Sequence, residues 1–332
     1  MARTTKDPKT PEKLFGNISL DLQAAWLEFC GTFVFLLFAL GLGGVQAANY
    51  QTALEASQNG QGGGSVSAPP TIIQLLYYSA AFGLSLLFSV WLFYRVTGGI
   101  FNPNVTTALL LTGAIGPVRW ALCCAAQMVG AIAASAVLLA LLPGPISFNT
   151  LPGPGVSKAQ ATFIEMFVTA ALVLSVLMLA VEKHRTTPFA PVGIGLTLFA
   201  CELFALSFTG GSLNTARSFG PAVVSGFDAS HWVYWVGPFL GSLLAVALYS
   251  ILKHVKYWHI NPAQDSIDYN NSPSGPVDTV RGMTSQNKGH HNVKSSQRGG
   301  SNTSSVDQED YPTGTGPNGY ERTDRPTGEA AV

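Results

Sequence analysis

Charge is what this sequence has least of. Only 11% of its 332 residues are Asp, Glu, Lys or Arg, against roughly 25% in a typical soluble domain. Its 18 basic and 18 acidic side chains cancel to zero. Cysteine is scarce too: Cys30, Cys123, Cys124 and Cys201 all lie within apolar runs, where a thiol behaves as a small hydrophobe, so no disulfide is expected. Spaced Cys/His ligands, a glycine-rich phosphate loop behind a strand and a nucleophile beside a base are all missing. No metal, cofactor or nucleic-acid partner is therefore expected, and an enzyme reading has no support.

Apolar length is what the chain does have, with 47% hydrophobic residues. A helix of about 20 apolar residues crosses a hydrocarbon layer about 30 Å thick. Six such runs occur, near 22–46, 71–95, 117–142, 159–181, 189–208 and 232–253. The fold class expected is therefore an all-α, multi-pass integral membrane protein. A polar segment precedes the first run and no small-residue cleavage site follows it, so the run reads as a retained helix rather than a signal peptide.

Basic residues beside the spans cluster on one face: Arg3, Lys6, Lys9, Lys13, Arg95, Arg119, Lys183, Arg185, Lys253 and Lys256. The opposite loops, 47–70 and 143–158, carry only Lys158. By the positive-inside rule both termini are cytoplasmic, and the plasma membrane is the expected location. Three regions follow: an N-terminal tail over 1–20, a membrane domain over 21–256 and a C-terminal tail over 257–332. The last is rich in Ser, Thr, Gly, Asn and Pro and is expected to be disordered, as is the loop "QNGQGGGSVSAPP" at 58–70. The sequons at Asn17, Asn270 and Asn302 fall on the cytoplasmic side and are expected to be unused.

The membrane domain repeats itself. "GGIFNPNV" at 98–105 matches "GGSLNTAR" at 210–217 in both glycines and in the asparagine three positions on. Glu28 and Thr32 correspond to Glu165 and Thr169, and Gly83 corresponds to Gly195, each 19 residues before its asparagine. The repeats run over about 21–142 and 159–256, and each holds three spans plus one short apolar segment, 102–113 or 214–225. Three is odd, so the halves face opposite ways across the membrane. A segment of about 12 helical residues reaches about 18 Å, so the two short segments enter from opposite faces and meet near the middle.

Asn is a strong helix N-cap and Pro is favoured at the first helical position, so Asn102 and Pro103 read as a helix start. Where two helix N-termini meet, each brings about half a positive charge. A cation is repelled there, while a neutral hydrogen-bonding molecule finds amide donors. Water held from both sides points its oxygen at the asparagines and loses the continuous donor chain a proton needs. Arg217, costing about 2.5 to 3.5 kcal/mol at membrane depth on insertion scales, reads as lining a wet path.

These residues resemble the aquaporin, or major intrinsic protein, family over about 20–255. The resemblance rests on the paired Asn motifs, "RSFGP" at 217–221, Glu28 and Glu165, and the Gln127–Gly130 and Pro238–Gly241 signatures; the long tail and the Gly/Ser loop are similar to those of fungal members. It implies six spanning helices with two re-entrant half-helices and a homotetramer in membrane lipid with one pore per subunit. It further implies that Glu28 and Glu165 brace the re-entrant loops, and that Phe82, Glu202, Gly211 and Arg217 form the narrowest point. Phe82 and Arg217 are similar to those of water-selective members, and Ser218 stands where glycerol-conducting members have Asp. The implied function is passive conduction of water without protons or ions.

Departures from the family pattern bear on that expectation. The first motif is Asn102-Pro103-Asn104 rather than Asn-Pro-Ala, and the second is Asn214-Thr215-Ala216. Glu202 stands where water channels carry His, and the family's mercury-reactive cysteine position is Gly211. Two readings of Glu202 stand open: a bracing carboxylate that faces away from the pore, or a pore-lining partner of Arg217 that narrows the path or makes it depend on pH. Hydrogen peroxide, glycerol or another small neutral solute remains an alternative to water, beside a largely closed channel and a secondary transporter. His184, between Lys183 and Arg185, reads as a solvated turn, with a pH gate as the alternative, and Asn261-Pro262-Ala263 reads as coincidence.

Overall fold

A computed structural model describes residues 16–58, 72–142, 149–262, 264 and 266–267, with backbone alone over 43–58. The basic residues of the N-terminal tail, the loop from 59 to 71, Ala263, and nearly all of the C-terminal tail with its two sequons lie outside the described residues. What is described is helical, with no strand among the described residues. Every backbone N–H and C=O inside a bilayer must be paired within the protein, and a helix achieves this locally.

Among the described residues eight α-helices follow in order: α1 Ile18–Gln58, α2 Ile72–Phe93, α3 Pro103–Leu111, α4 Pro117–Leu141, α5 Lys158–Val176, α6 Ala190–Thr209, α7 Thr215–Ser225 and α8 Val233–His254. Six are long and apolar enough to cross a membrane, as α1 over Ile18–Leu42, α5 with a wider turn to Val181, α6 with a short turn from Thr187, and α2, α4 and α8 entire. These are the six spans expected from hydropathy. The short segments are the 9-residue α3 and the 11-residue α7.

One boundary differs from the sequence expectation. The loop expected from 47 is helical to Gln58, because α1 runs on beyond its apolar part. "VQAANYQTALEASQ" contains neither Pro nor Gly, and its Ala, Gln, Leu and Glu are good helix formers.

Packing mirrors the repeat. α1 lies against α4 as α5 lies against α8, and α2 and α6 meet each other. At that meeting a Cβ on Gly83 would stand 2.9 Å from the Gly195 carbonyl, and one on Gly195 would stand 2.8 Å from the Gly83 carbonyl. Only glycine lets the two backbones approach so closely. Large apolar side chains such as Trp26, Leu84, Phe163 and Leu196 face outward, while the interior holds Glu28, Gln127, Glu165, Asn102 and Asn214. That inverted distribution suits a lipid exterior around a polar centre.

Candidate functional site

The polar centre is built by the starts of α3 and α7. Asn102 caps α3, its Oδ1 accepting the Asn104 N–H at 2.9 Å. Asn214 caps α7, its Oδ1 accepting the Ala216 N–H at 2.9 Å and the Arg217 N–H at 3.4 Å. Each amide also crosses to the other loop: Asn102 Nδ2 donates to the Leu213 carbonyl at 2.9 Å, and Asn214 Nδ2 to the Phe101 carbonyl at 2.8 Å. An Asn amide has two N–H groups. One on each residue is thus left without a protein acceptor among the described residues.

Phe101 and Leu213 make that exchange possible. Both are fully buried and sit at φ 49° and 52°, a region that bulky residues rarely adopt. Such strain persists only where the surroundings hold it. Here a carboxylate holds each loop: Glu28 accepts the N–H groups of Ile100 at 3.2 Å and Phe101 at 2.9 Å, and Glu165 accepts those of Ser212 and Leu213 at 2.9 Å each. Gln127 donates to Glu28 at 2.8 Å, and the Thr209 hydroxyl to Glu165 at 2.6 Å. Sequence reasoning singled out the glutamates and asparagines but missed Phe101 and Leu213. The signal available was their shared place immediately before each capping asparagine.

A cavity with about 20 Å³ open to water-sized molecules runs past Asn102 and Asn214. By that measure a single water needs roughly 10–15 Å³. Phe82, Glu202 and Arg217 line it together. The Arg217 guanidinium lies 4.7 Å from the centre of the Phe82 ring and donates to the Gly210 carbonyl at 3.3 Å. Glu202 is fully buried, and neither carboxylate oxygen meets a hydrogen-bond donor among the described residues. It therefore does not brace a loop as Glu28 and Glu165 do. Gly211 adjoins it, with φ +57°. Ser218 turns elsewhere, its hydroxyl meeting those of Ser212 at 2.5 Å and Thr150 at 2.8 Å.

The repeat gives each of these residues a counterpart 112 positions away: Ile194 for Phe82, Val90 for Glu202, Gly99 for Gly211 and Val105 for Arg217. All four counterparts line the same cavity. One end is therefore charged and the other apolar. The apolar end continues into a wider space bounded also by Tyr94, Thr97 and Lys183. His184 lies apart from this centre in a turn with Thr186 and Thr187, and Asn261 and Pro262 follow a short turn rather than starting a half-helix.

Two capped half-helices meeting inside six spans have a counterpart among known families, and the model described as "Major intrinsic protein" matches residues 17–249. The chain belongs to that family. Members of the major intrinsic protein family are channels that pass water and small solutes, not enzymes. An aquaporin of Laccaria bicolor is 58% identical over 267 residues, covering 80% of this chain and 82% of the relative. Aquaporin-1 of the same fungus is 56% identical over 265 residues with the same coverage. Aquaporin-2 of Botryotinia fuckeliana is 49% identical over 251 residues, covering 75% and 64%. Among solved structures, the aquaglyceroporin from Plasmodium falciparum aligns with a TM-score of 0.55 at 20% identity, covering 70% of this chain and 99% of that one. That likeness concerns the fold.

Proposed function

We propose that the chain is a passive water channel that excludes protons and ions. Asn102 and Asn214 contact the solute, and Phe82, Glu202, Gly211 and Arg217 set the narrowest point. One observation carries the reading: each capping amide spends one N–H on the opposite loop and keeps the other for a solute, in a cavity of about 20 Å³, water-sized in volume. Water there accepts from asparagines at both half-helix starts. A cation meets two positive helix ends and Arg217 instead. The expected assembly is a homotetramer in lipid, with both termini cytoplasmic.

A second reading, conduction of hydrogen peroxide, is favoured by Glu202. Its unpartnered oxygens are acceptors on the same cavity as the Arg217 donors. A small solute that both donates and accepts suits that pair, and peroxide has two O–H donors like water with a second acceptor oxygen. Glycerol, a larger molecule, is disfavoured by the small volume of that space.

Proteoliposomes under an osmotic gradient test both readings. Fast shrinkage with low activation energy and no dependence on an ion gradient supports the channel. Solute flux that requires an ion gradient would remove it in favour of a transporter. Running water, peroxide and glycerol on wild type and Glu202→His then sorts the solutes. If every flux and its pH dependence stayed unchanged, Glu202 would have no part in selection.

A further inference from the structure

The two half-helices begin differently. α3 starts Asn102-Pro103-Asn104 and α7 starts Asn214-Thr215-Ala216, so within the repeat Pro103 corresponds to Thr215 and Asn104 to Ala216. The difference matters at the first helical position. That residue's N–H has no partner inside the helix. Pro103 has no N–H to satisfy; Thr215 has one, and Thr215 is only 3% exposed. A buried unpaired N–H is costly. Asn214 does not supply an acceptor, because its side chain is occupied by the next two N–H groups.

The acceptor comes from the other half-helix. Asn104 Oδ1 receives the Thr215 N–H at 2.9 Å and lies 3.0 Å from the Thr215 hydroxyl. Because the N–H can only donate, this contact fixes which end of the Asn104 amide faces α7. The same hydroxyl lies 3.0 Å from the Tyr234 carbonyl in α8. In a regular helix that carbonyl would take the N–H four residues on, but that residue is Pro238, which has none. The Asn104 carbonyl in turn receives the Ser242 hydroxyl of α8 at 2.9 Å. Asn104 and Thr215 thus join α3, α7 and α8 at the point where the half-helices meet.

We propose that Asn104 and Thr215 are a matched pair of positioning residues. Together they lock the two half-helix starts against each other and so set the spacing of Asn102 and Asn214. Asn at 104 has a use because residue 215 carries an N–H and a hydroxyl, and Thr is tolerated at 215 because residue 104 supplies an acceptor. Either change alone orphans its partner. The two changes together exchange a polar contact for an apolar one, copying what the chain itself uses at Pro103 and Ala216. The flux arm of the test below rests on the channel reading given above; the stability arm does not.

The test is a double-mutant cycle on the full-length protein: Asn104→Ala, Thr215→Pro and both together, with Thr215→Ser as a variant that keeps both donors. Thermal unfolding in detergent is measured first, and water permeability per correctly folded channel in proteoliposomes second. Each single change should lower the unfolding midpoint by at least about 4 °C and cut permeability at least about threefold. The double variant should recover most of both losses, and Thr215→Ser should stay near wild type. If a single variant fails to fold, recovery of folding by the double variant is itself the expected result. Losses that add, or an Asn104→Ala protein that melts and conducts like wild type, would overturn the pairing. A coupled cycle in stability, with no water flux even in wild type, would support the lock while removing the water reading.

Discussion

Glu202 occupies the space that a side chain at Gly211 would need. A Cβ at 211 would stand 1.9 Å from Glu202 Oε2, and the backbone there has φ +57°. The glycine thus serves twice, accepting a left-handed turn and leaving room for the carboxylate beside the cavity. Gly211→Ala should drive Glu202 into the lumen and lower water permeability by about tenfold, a barrier change of about 1.4 kcal/mol. Adding Glu202→Ala should restore much of the flux. Stopped-flow light scattering on single and double variants checks this, and equal flux from Gly211→Ala and wild type would contradict it.

Each loop depends on one carboxylate. Glu165 accepts the N–H groups of Ser212 and Leu213 and the Thr209 hydroxyl. Glu165→Leu would leave the Ser212 and Leu213 N–H groups buried and unpaired, at about 1–3 kcal/mol each, while the Thr209 hydroxyl would keep the Ala205 carbonyl at 3.2 Å. It would also release the strained Leu213. The expected outcome is poor folding, seen as aggregation in detergent size-exclusion chromatography, with Glu28→Leu behaving alike because Glu28 holds Ile100 and Phe101 in the same way.

Gly195→Leu should separate α2 from α6. Its Cβ alone would stand 2.5 Å from the Leu87 Cβ and 2.8 Å from the Gly83 carbonyl. Overpacking of this kind typically costs about 1–3 kcal/mol, and backbone on both sides makes the upper end apt. A melting midpoint lower by about 4–10 °C is expected, while an outward-facing control, Leu196→Ala, should change it little.

Acid should loosen the end of α8. Partial burial works against ionised Glu182, but hydrogen bonds from Tyr249, Lys253 and Tyr257, with the Lys253 charge, outweigh it and hold the carboxyl below the ordinary carboxylate range. A depressed carboxyl stabilises the fold above its unfolded value, near pH 4.5, and that contribution fades as pH falls through the folded value. The melting midpoint of wild type should therefore fall below about pH 4.5, and Glu182→Gln should start lower and show a flatter acid limb. Parallel acid limbs for the two proteins would show that Glu182 does not carry the effect.

How much of this was legible beforehand differs from residue to residue. Local chemistry sufficed for the six spans, because hydropathy and length are properties of consecutive residues. The starts of α3 and α7 were legible because Asn caps and Pro at the first position act within one turn. The continuation of α1 to Gln58 was misread: polar residues marked a loop, but helix propensity does not require apolarity. The positive φ of Phe101 and Leu213 had no local cause to read. Bulky residues avoid that region, and only distant Glu28 and Glu165 and the opposite asparagine hold them there.

By itself the sequence determined a membrane protein of two opposed repeats with a capped half-helix in each, since composition, periodicity and capping are written along the chain. Tertiary structure alone decided which side chains share the cavity. Glu202 and Arg217 line one space although they come from different helices, and Asn104 meets the N–H of Thr215 from the other half of the chain. Those relationships depend on how the two halves fold onto each other, and no short stretch of sequence contains both partners.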